Sequence, residues 1–332
     1  ELCRLAGRWP RGGGEAMKAL QLPVGLSLTL ILASCSPHKV TRNPAPPVEM
    51  PEAYSSIAAE GANLPDKWWQ DFGDQQLNSL VEEALHGNLQ VRAAWQRMHQ
   101  AKLIAKQMRA GLYPSVNLNA SISQAEPVNR FFPSSPVSIE ASYEPDLFRK
   151  VGNSEAAALT NAMAARDQVE SLAMTLVAQI AETWFALTAQ RARLELLEEQ
   201  IKVSQNFLEL AQMRLGQGLG RGLDLLQQRQ QLAAVEGQRP AALAMETVLQ
   251  NQLAVLTGRP PSGFQVATKS LLPELPGQPA SGVPADLLLR RPDVRAARLQ
   301  VEAADYQVAV AVANRLPGIR FGGSYGPFQR ID

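Results

Sequence analysis

Few side chains in this sequence have the types and spacing for chemistry. Two cysteines, Cys3 and Cys35, and three histidines, His38, His86 and His99, are the whole stock of soft ligands and imidazoles. No pair among them has metal-ligand spacing, and two cysteines supply neither a disulfide framework nor a zinc cluster. No nucleophile–base pair and no phosphate loop stands out, so catalysis, metal binding and cofactor binding are not expected. One thiol is different. Cys35 closes the apolar run of residues 20–33 and is the single candidate for covalent modification.

The elements around Cys35 define that modification. From Met17, "MKALQLPVGLSLTLILASCSP" gives a short positive start at Lys18 and an apolar run with the length of a signal-peptide core, too short for a comfortable membrane span. Its end, Leu32-Ala33-Ser34-Cys35, resembles the bacterial lipoprotein box. That resemblance implies cleavage before Cys35 and attachment of diacylglycerol and an acyl chain to it, and Ser36 implies sorting to the outer membrane. Residues 1–16, which begin with Glu1 and run through "RGGGEAM", read as translated upstream sequence. Residues 17–34 are then the signal peptide, and residues 35–63, rich in proline, a lipidated tether.

The formal net charge is +1, so no bulk field points to nucleic acid. Alanine, leucine and glutamine favour helix through the middle of the chain. Asp74 is placed to cap a helix over residues 75–111, with a weak point at Gly87-Asn88 and a stop at Pro114. A very long helix is expected over residues 154–215, with Leu172, Leu176, Ile180, Trp184 and Leu187 at helical spacing. Glycines in "GQGLGRG" break it, and a second helix runs over residues 224–256, interrupted near Gly237 and Pro240. The two form an antiparallel hairpin that needs partner helices. Glu170, Glu182, Glu195 and Glu198 read as solvated or subunit-facing charges. No later segment offers some twenty consecutive apolar residues, so no membrane-spanning helix is expected.

Two stretches break the helical pattern. In "SVNLNASISQ", Val116, Leu118, Ala120 and Ile122 alternate with Ser115, Asn117, Asn119 and Ser121. In "VSIEASYE", Val137, Ile139, Ala141 and Tyr143 alternate with Ser138, Glu140 and Ser142. A period of two marks strands whose faces meet different surroundings, so residues 115–124 and 137–144 form a two-faced hairpin. After a Pro/Gly-rich linker, residues 258–284, a helix starting near Pro284 repeats the first. "VRAAWQRMHQAKLIAKQMRAGLYPSVNLNAS" aligns without a gap on "VRAARLQVEAADYQVAVAVANRLPGIRFGGS". A third strand therefore alternates Ile319, Phe321, Gly323 and Tyr325 against Arg320, Gly322 and Ser324. Residues 64–257 make the first repeat, and residues 285–332 begin the second.

"WWQDFGDQQLNSLVEEALHGN", "SYEPDLF", "LAVLTGRPP" and "LLLRRPDVRAARLQVEAADYQVAVA" resemble the NodT-type, TolC-like outer-membrane factors of RND-type efflux systems. The resemblance implies a mainly α fold with membrane strands: long antiparallel helical hairpins forming a tunnel, and strands entering one β-barrel shared by a homotrimer. It implies an outer-membrane exit duct for small molecules, partnered by a periplasmic adaptor and an inner-membrane pump. Lipid then faces Val116, Leu118, Ile122, Val137, Ile139, Tyr143, Ile319, Phe321 and Tyr325, with Tyr143 and Tyr325 suited to the interfacial aromatic belt. The lumen faces Asn117, Asn119, Ser138, Glu140 and Arg320. The glycine-rich tip, with Arg214, Gly216, Gly218, Arg221 and Asp224, would meet the adaptor. The sequence stops at Asp332, after one strand of the second repeat. On the resemblance, a product ending there lacks its second helical hairpin, its gating residues and the partner of its third strand, and would not form a working channel. The alternative is a non-channel periplasmic scaffolding lipoprotein.

Overall fold

The structure, a computed structural model, describes residues 38–42, 49, 51, 67–120, 137–267, 272–277 and 287–326. A 3-10 turn, Trp68–Phe72, leads into α1 (Gln75–Gly87), α2 (Leu89–Ala110), β1 (Ser115–Ala120) and β2 (Val137–Tyr143). Then come α3 (Lys150–Gly216), α4 (Gly222–Glu236), α5 (Arg239–Thr257), the single turn α6 (Leu287–Arg290), α7 (Pro292–Ala313) and β3 (Phe321–Tyr325). These fall into two compact units, one drawn from residues 1–41, 109–154 and 305–332, the other from 42–108 and 155–304.

The second unit is a helical bundle. Asp74 caps α1 by accepting from the Gln76 and Leu77 N–H groups, and its second carboxylate oxygen accepts from Trp184 Nε1 at 2.8 Å. One residue thus starts α1 and ties it to the middle of α3. Leu176, Ile180, Trp184 and Leu187 of α3 meet Leu77, Val81 and Ala84 of α1 and Leu249 and Leu253 of α5 in one core. A span-length stretch of α3 is apolar enough, at a mean hydropathy of 1.3, to cross a membrane by composition. The expectation of no such helix is corrected on that count. Packing accounts for the apolarity, since Ile180 and Leu187 are fully buried in the bundle.

The first helix is two helices, and the cause lies far away in sequence. Asn88 accepts from the Gln90 and Val91 N–H groups, which caps α2, and donates to the Leu256 carbonyl at 2.9 Å. The backbone of Gly87 touches Thr257 and Gly258 so closely that a side chain on either glycine would strike the opposite main chain. Gly258 also has φ +80, so it closes α5 in the left-handed region that favours glycine. α2 ends at Ala110, ahead of Pro114, in a turn through Gly111. The start expected near Pro284 lies outside the described residues. α7 itself begins at Pro292, a residue suited to a first helical turn.

Two of the glutamates read as solvated are in fact paired within the chain. Glu170 joins Asp167 in holding Arg295, from "RRPDVRAA", and Glu198 meets Arg239 at 3.4 Å. The hydrogen bond from Arg295 to Asp167 holds the guanidinium pKa above its usual value. Arg291 in turn holds the Asp293 carboxyl below the usual carboxylate range.

Candidate functional site

In the first unit the three strands form one antiparallel sheet in the order β1-β2-β3. The register decides which side chains share a face. Val116 pairs with Ala141, Leu118 with Ile139 and Ala120 with Val137. Ile139, Ala141 and Tyr143 then pair with Tyr325, Gly323 and Phe321. Directly paired residues lie on the same side, so all of these side chains share one face. The pairs Ser115–Ser142, Asn117–Glu140, Asn119–Ser138 and Glu140–Ser324 make up the other. A slip of one residue in any strand would mix the two sets.

The apolar face is open. Leu118 is 69% exposed, Val116 68%, Phe321 61% and Tyr325 81%. An exposed apolar patch of this kind marks a surface built for another apolar phase. Ile319 and Arg320 precede β3 rather than lying in it, and Ile122 lies outside the described residues. The third strand is not without a partner, contrary to the expectation above: β2 offers its second edge, and β3 takes it in a register that extends both faces.

Where the sheet meets the helices, Glu144 accepts from Arg320 at 3.1 Å and lies 3.9 Å from Lys150. Asp146 has a role that the sequence reading of "SYEPDLF" did not assign. Its carboxylate accepts from the Val151 and Gly152 N–H groups at 3.0 and 2.7 Å and so starts α3. A carboxylate at a helix N-terminus satisfies orphan donors and suits the helix dipole.

In the second unit the glycine-rich tip is a Schellman closure. The Leu219 N–H donates to the Arg214 carbonyl and the Gly218 N–H to the Leu215 carbonyl, with Gly218 at φ +74. A side chain on Gly220 would press on the Arg214–Leu215 backbone, whereas Gly216 and Gly222 meet open space. Asp224 accepts from the Arg221 N–H at 3.4 Å, half of a capping box, since arginine offers no acceptor in return. Arg214, Arg221 and Asp224 are exposed. The sequence reading overlooked Leu219 between them, 78% exposed.

The proline-rich segment ahead of the first helix has an attachment that no local pattern announced. Asp305 of α7 lies 2.5 Å from His38 Nε2 and accepts from the Thr41 N–H at 2.6 Å. That backbone hydrogen bond, with the His38 contact second, holds the Asp305 carboxyl below the usual carboxylate range. Cys35 lies outside the described residues. Among the described residues no group of His, Cys, Asp and Glu could hold a metal ion.

The pattern that describes the family "Outer membrane efflux protein" matches residues 80–259. The chain is 30% identical over 328 residues to the pyoverdine export outer membrane protein OpmQ of Pseudomonas putida, covering 93% of this chain and 68% of that one. It is 27% identical to the fusaric acid resistance protein FusA of Burkholderia cepacia, covering 91% of this chain and 60% of the relative. Among solved structures it resembles the outer-membrane channel OprN, with a TM-score of 0.75 and 24% identity over 87% of this chain and 68% of that chain. It also resembles the outer membrane protein VceC of Vibrio cholerae, with a TM-score of 0.65 and 25% identity over 78% and 64%.

Proposed function

The chain belongs to the outer membrane efflux protein family, and on that premise we propose that it acts as the outer-membrane duct of a tripartite export system. It passes small molecules without transforming them. Three copies share one barrel, each adding its sheet, while α3, α4 and α5 line the periplasmic tunnel. A periplasmic adaptor meets the tip around Gly218 and Leu219, and an inner-membrane pump drives transport. Cys35 carries diacylglycerol and an acyl chain, which anchor the tether.

The observation that carries this reading is the three-strand register, which sorts every apolar side chain of the sheet onto one open face. In lipid, an apolar outer band with a polar interior is the physical requirement for a barrel. Val116, Leu118, Val137, Ile139, Phe321 and Tyr325 then face lipid, and Asn117, Asn119, Ser138 and Glu140 face water. The rows also set heights. Tyr143–Phe321 is the row nearest the helices, and Leu118–Ile139–Tyr325 lies four residues further along, about 13 Å of strand. Tilted by about 40°, that is roughly 10 Å along the membrane normal, near the middle of a band about 25 Å tall. Tyr143 suits the periplasmic aromatic belt, whereas Tyr325 sits in the band itself.

Cross-linking of outer-membrane fractions tests the assembly, with a trimer expected. A strain without the gene should retain, or become sensitive to, a small molecule exported by the pump encoded beside it. A strictly monomeric protein and unchanged sensitivity would overturn the proposal.

A further inference from the structure

Asp305 gives both of its carboxylate oxygens to a segment far from it in sequence. One oxygen lies 2.5 Å from His38 Nε2, and the other accepts from the Thr41 N–H at 2.6 Å. Two contacts three residues apart fix the direction of the segment as well as its position, where a single contact would leave it free to pivot. The His38 and Asp305 side chains are both mostly covered. His38, Thr41, Asp305 and the three-stranded sheet all belong to the same compact unit.

The internal repeat shows that this acid is not part of the shared helix design. In the gapless alignment of Val91 with Val294, Asp305 falls opposite Lys102, which is exposed on α2. Asp305 also lies well inside α7, where aspartate is a poor helix former. A residue that the helix disfavours, and that the matching helix replaces by a cation, is explained by what it holds.

What it holds lies close to Cys35, three residues before His38. At about 3.6 Å per residue, Cys35 has a reach of about 11 Å from His38. From Asp305 to the end of α7 at Ala313, the end that leads to β3, is about 12 Å of helix. The two lengths match, so Cys35 can attain the sheet end of α7 and little beyond it. Without the clasp, the next element along the chain begins at Trp68, a connection roughly ten times longer.

We infer that Asp305 is a positioning residue for the lipid anchor. By clasping His38 and Thr41 it holds acylated Cys35 beside the sheet, so that the acyl chains and the apolar face enter the same patch of bilayer. This role rests on the acylation of Cys35 and on the sheet meeting lipid. Effective concentration falls with about the −3/2 power of linker length, so releasing the clasp should slow entry of the sheet by about 30-fold.

The test follows insertion of the full acylated protein from detergent into phosphatidylcholine vesicles, read by the gel mobility of the folded form. Asp305→Ala should slow insertion by about 30-fold. His38→Ala combined with Thr41→Pro removes the other side of the clasp, including the N–H donor, without touching α7, and should slow it equally. In the same chain made from residue 35 onward with Cys35→Ser, and so without acyl groups, neither change should alter the rate. An equal loss with and without the acyl groups would make Asp305 a structural residue only and overturn its positioning role, as would an unchanged rate in the acylated variants. Mass spectrometry that finds Cys35 unmodified overturns the acylation reading, and failure of the parent to insert at all overturns the lipid-facing reading. The positioning role falls with either.

Discussion

Placing one arginine on each face of β1 tests the sidedness of the sheet. Leu118 pairs with Ile139, which pairs with Tyr325, in a row roughly 10 Å above the Tyr143–Phe321 row once strand tilt is included. If this face meets lipid as proposed, that height is close to the bilayer midplane, where an arginine facing lipid costs about 2–4 kcal/mol. Leu118→Arg should therefore lower stability by an amount within that range. Asn117 is the adjacent residue and pairs with Glu140. Asn117→Arg places a cation opposite a carboxylate on the polar face, where a cross-strand pair contributes about 0.2–1 kcal/mol. Its effect should be neutral or slightly stabilising. Urea titration of the protein folded into phospholipid vesicles, followed by gel mobility of the native form, measures both. Leu118→Arg within about 1 kcal/mol of the parent, or equal damage from the two variants, would refute the assignment of faces.

Asn88→Ala removes the cap of α2 and the hydrogen bond to Leu256, and should destabilise by about 2 kcal/mol in thermal unfolding. Asn88→Asp keeps the cap but sets a buried carboxylate oxygen against the Leu256 carbonyl, so it should cost at least as much. Gly258→Ala should be worse than substitution at Gly216, because it combines a φ of +80 with a clash against the Gly87 backbone, whereas Gly216 meets open space. The Asp305 carboxyl has a folded pKa below its ordinary value. Its contribution is therefore present above the ordinary carboxylate pKa, near 3.9, and is lost as pH falls through the lower folded value. A spin label at Lys39→Cys should be restrained at neutral pH and still restrained at the ordinary carboxylate pKa, near 3.9, becoming mobile only at lower pH, and Asp305→Ala should leave it mobile throughout.

Local signals carried much of this fold. Asp74 ahead of an apolar periodic run, the alternation in "SVNLNAS" and "VSIEASY", and the glycines of "GQGLGRG" each specify their own neighbourhood. The structure has a cap, two strands and a helix closure at those places. What escaped was contact between distant segments. The Gly87-Asn88 weak point was visible, but its cause, the Thr257–Gly258 backbone, is far away in the chain. The pairing of β3 with β2 depends on an edge that hairpin logic leaves free. The His38–Asp305 contact joins a proline-rich segment to a helix with no pattern linking them. Asp146 was legible only as part of a family motif, because its cap reaches across a left-handed residue to α3. The apolar set of the sheet was readable by alternation, while the rows in which its members pair required the register.

The central claim is that one face of this sheet meets lipid and the other water. Spin labels placed singly along residues 115–119 and 137–143 in the membrane-reconstituted protein, read by collision with oxygen and with a water-soluble nickel complex, address it directly. Oxygen accessibility should peak at Val116, Leu118, Val137 and Ile139, and nickel accessibility at Asn117, Asn119, Ser138 and Glu140, with a period of two in opposite phase. Profiles without alternation, or with both probes peaking on the same residues, would contradict it.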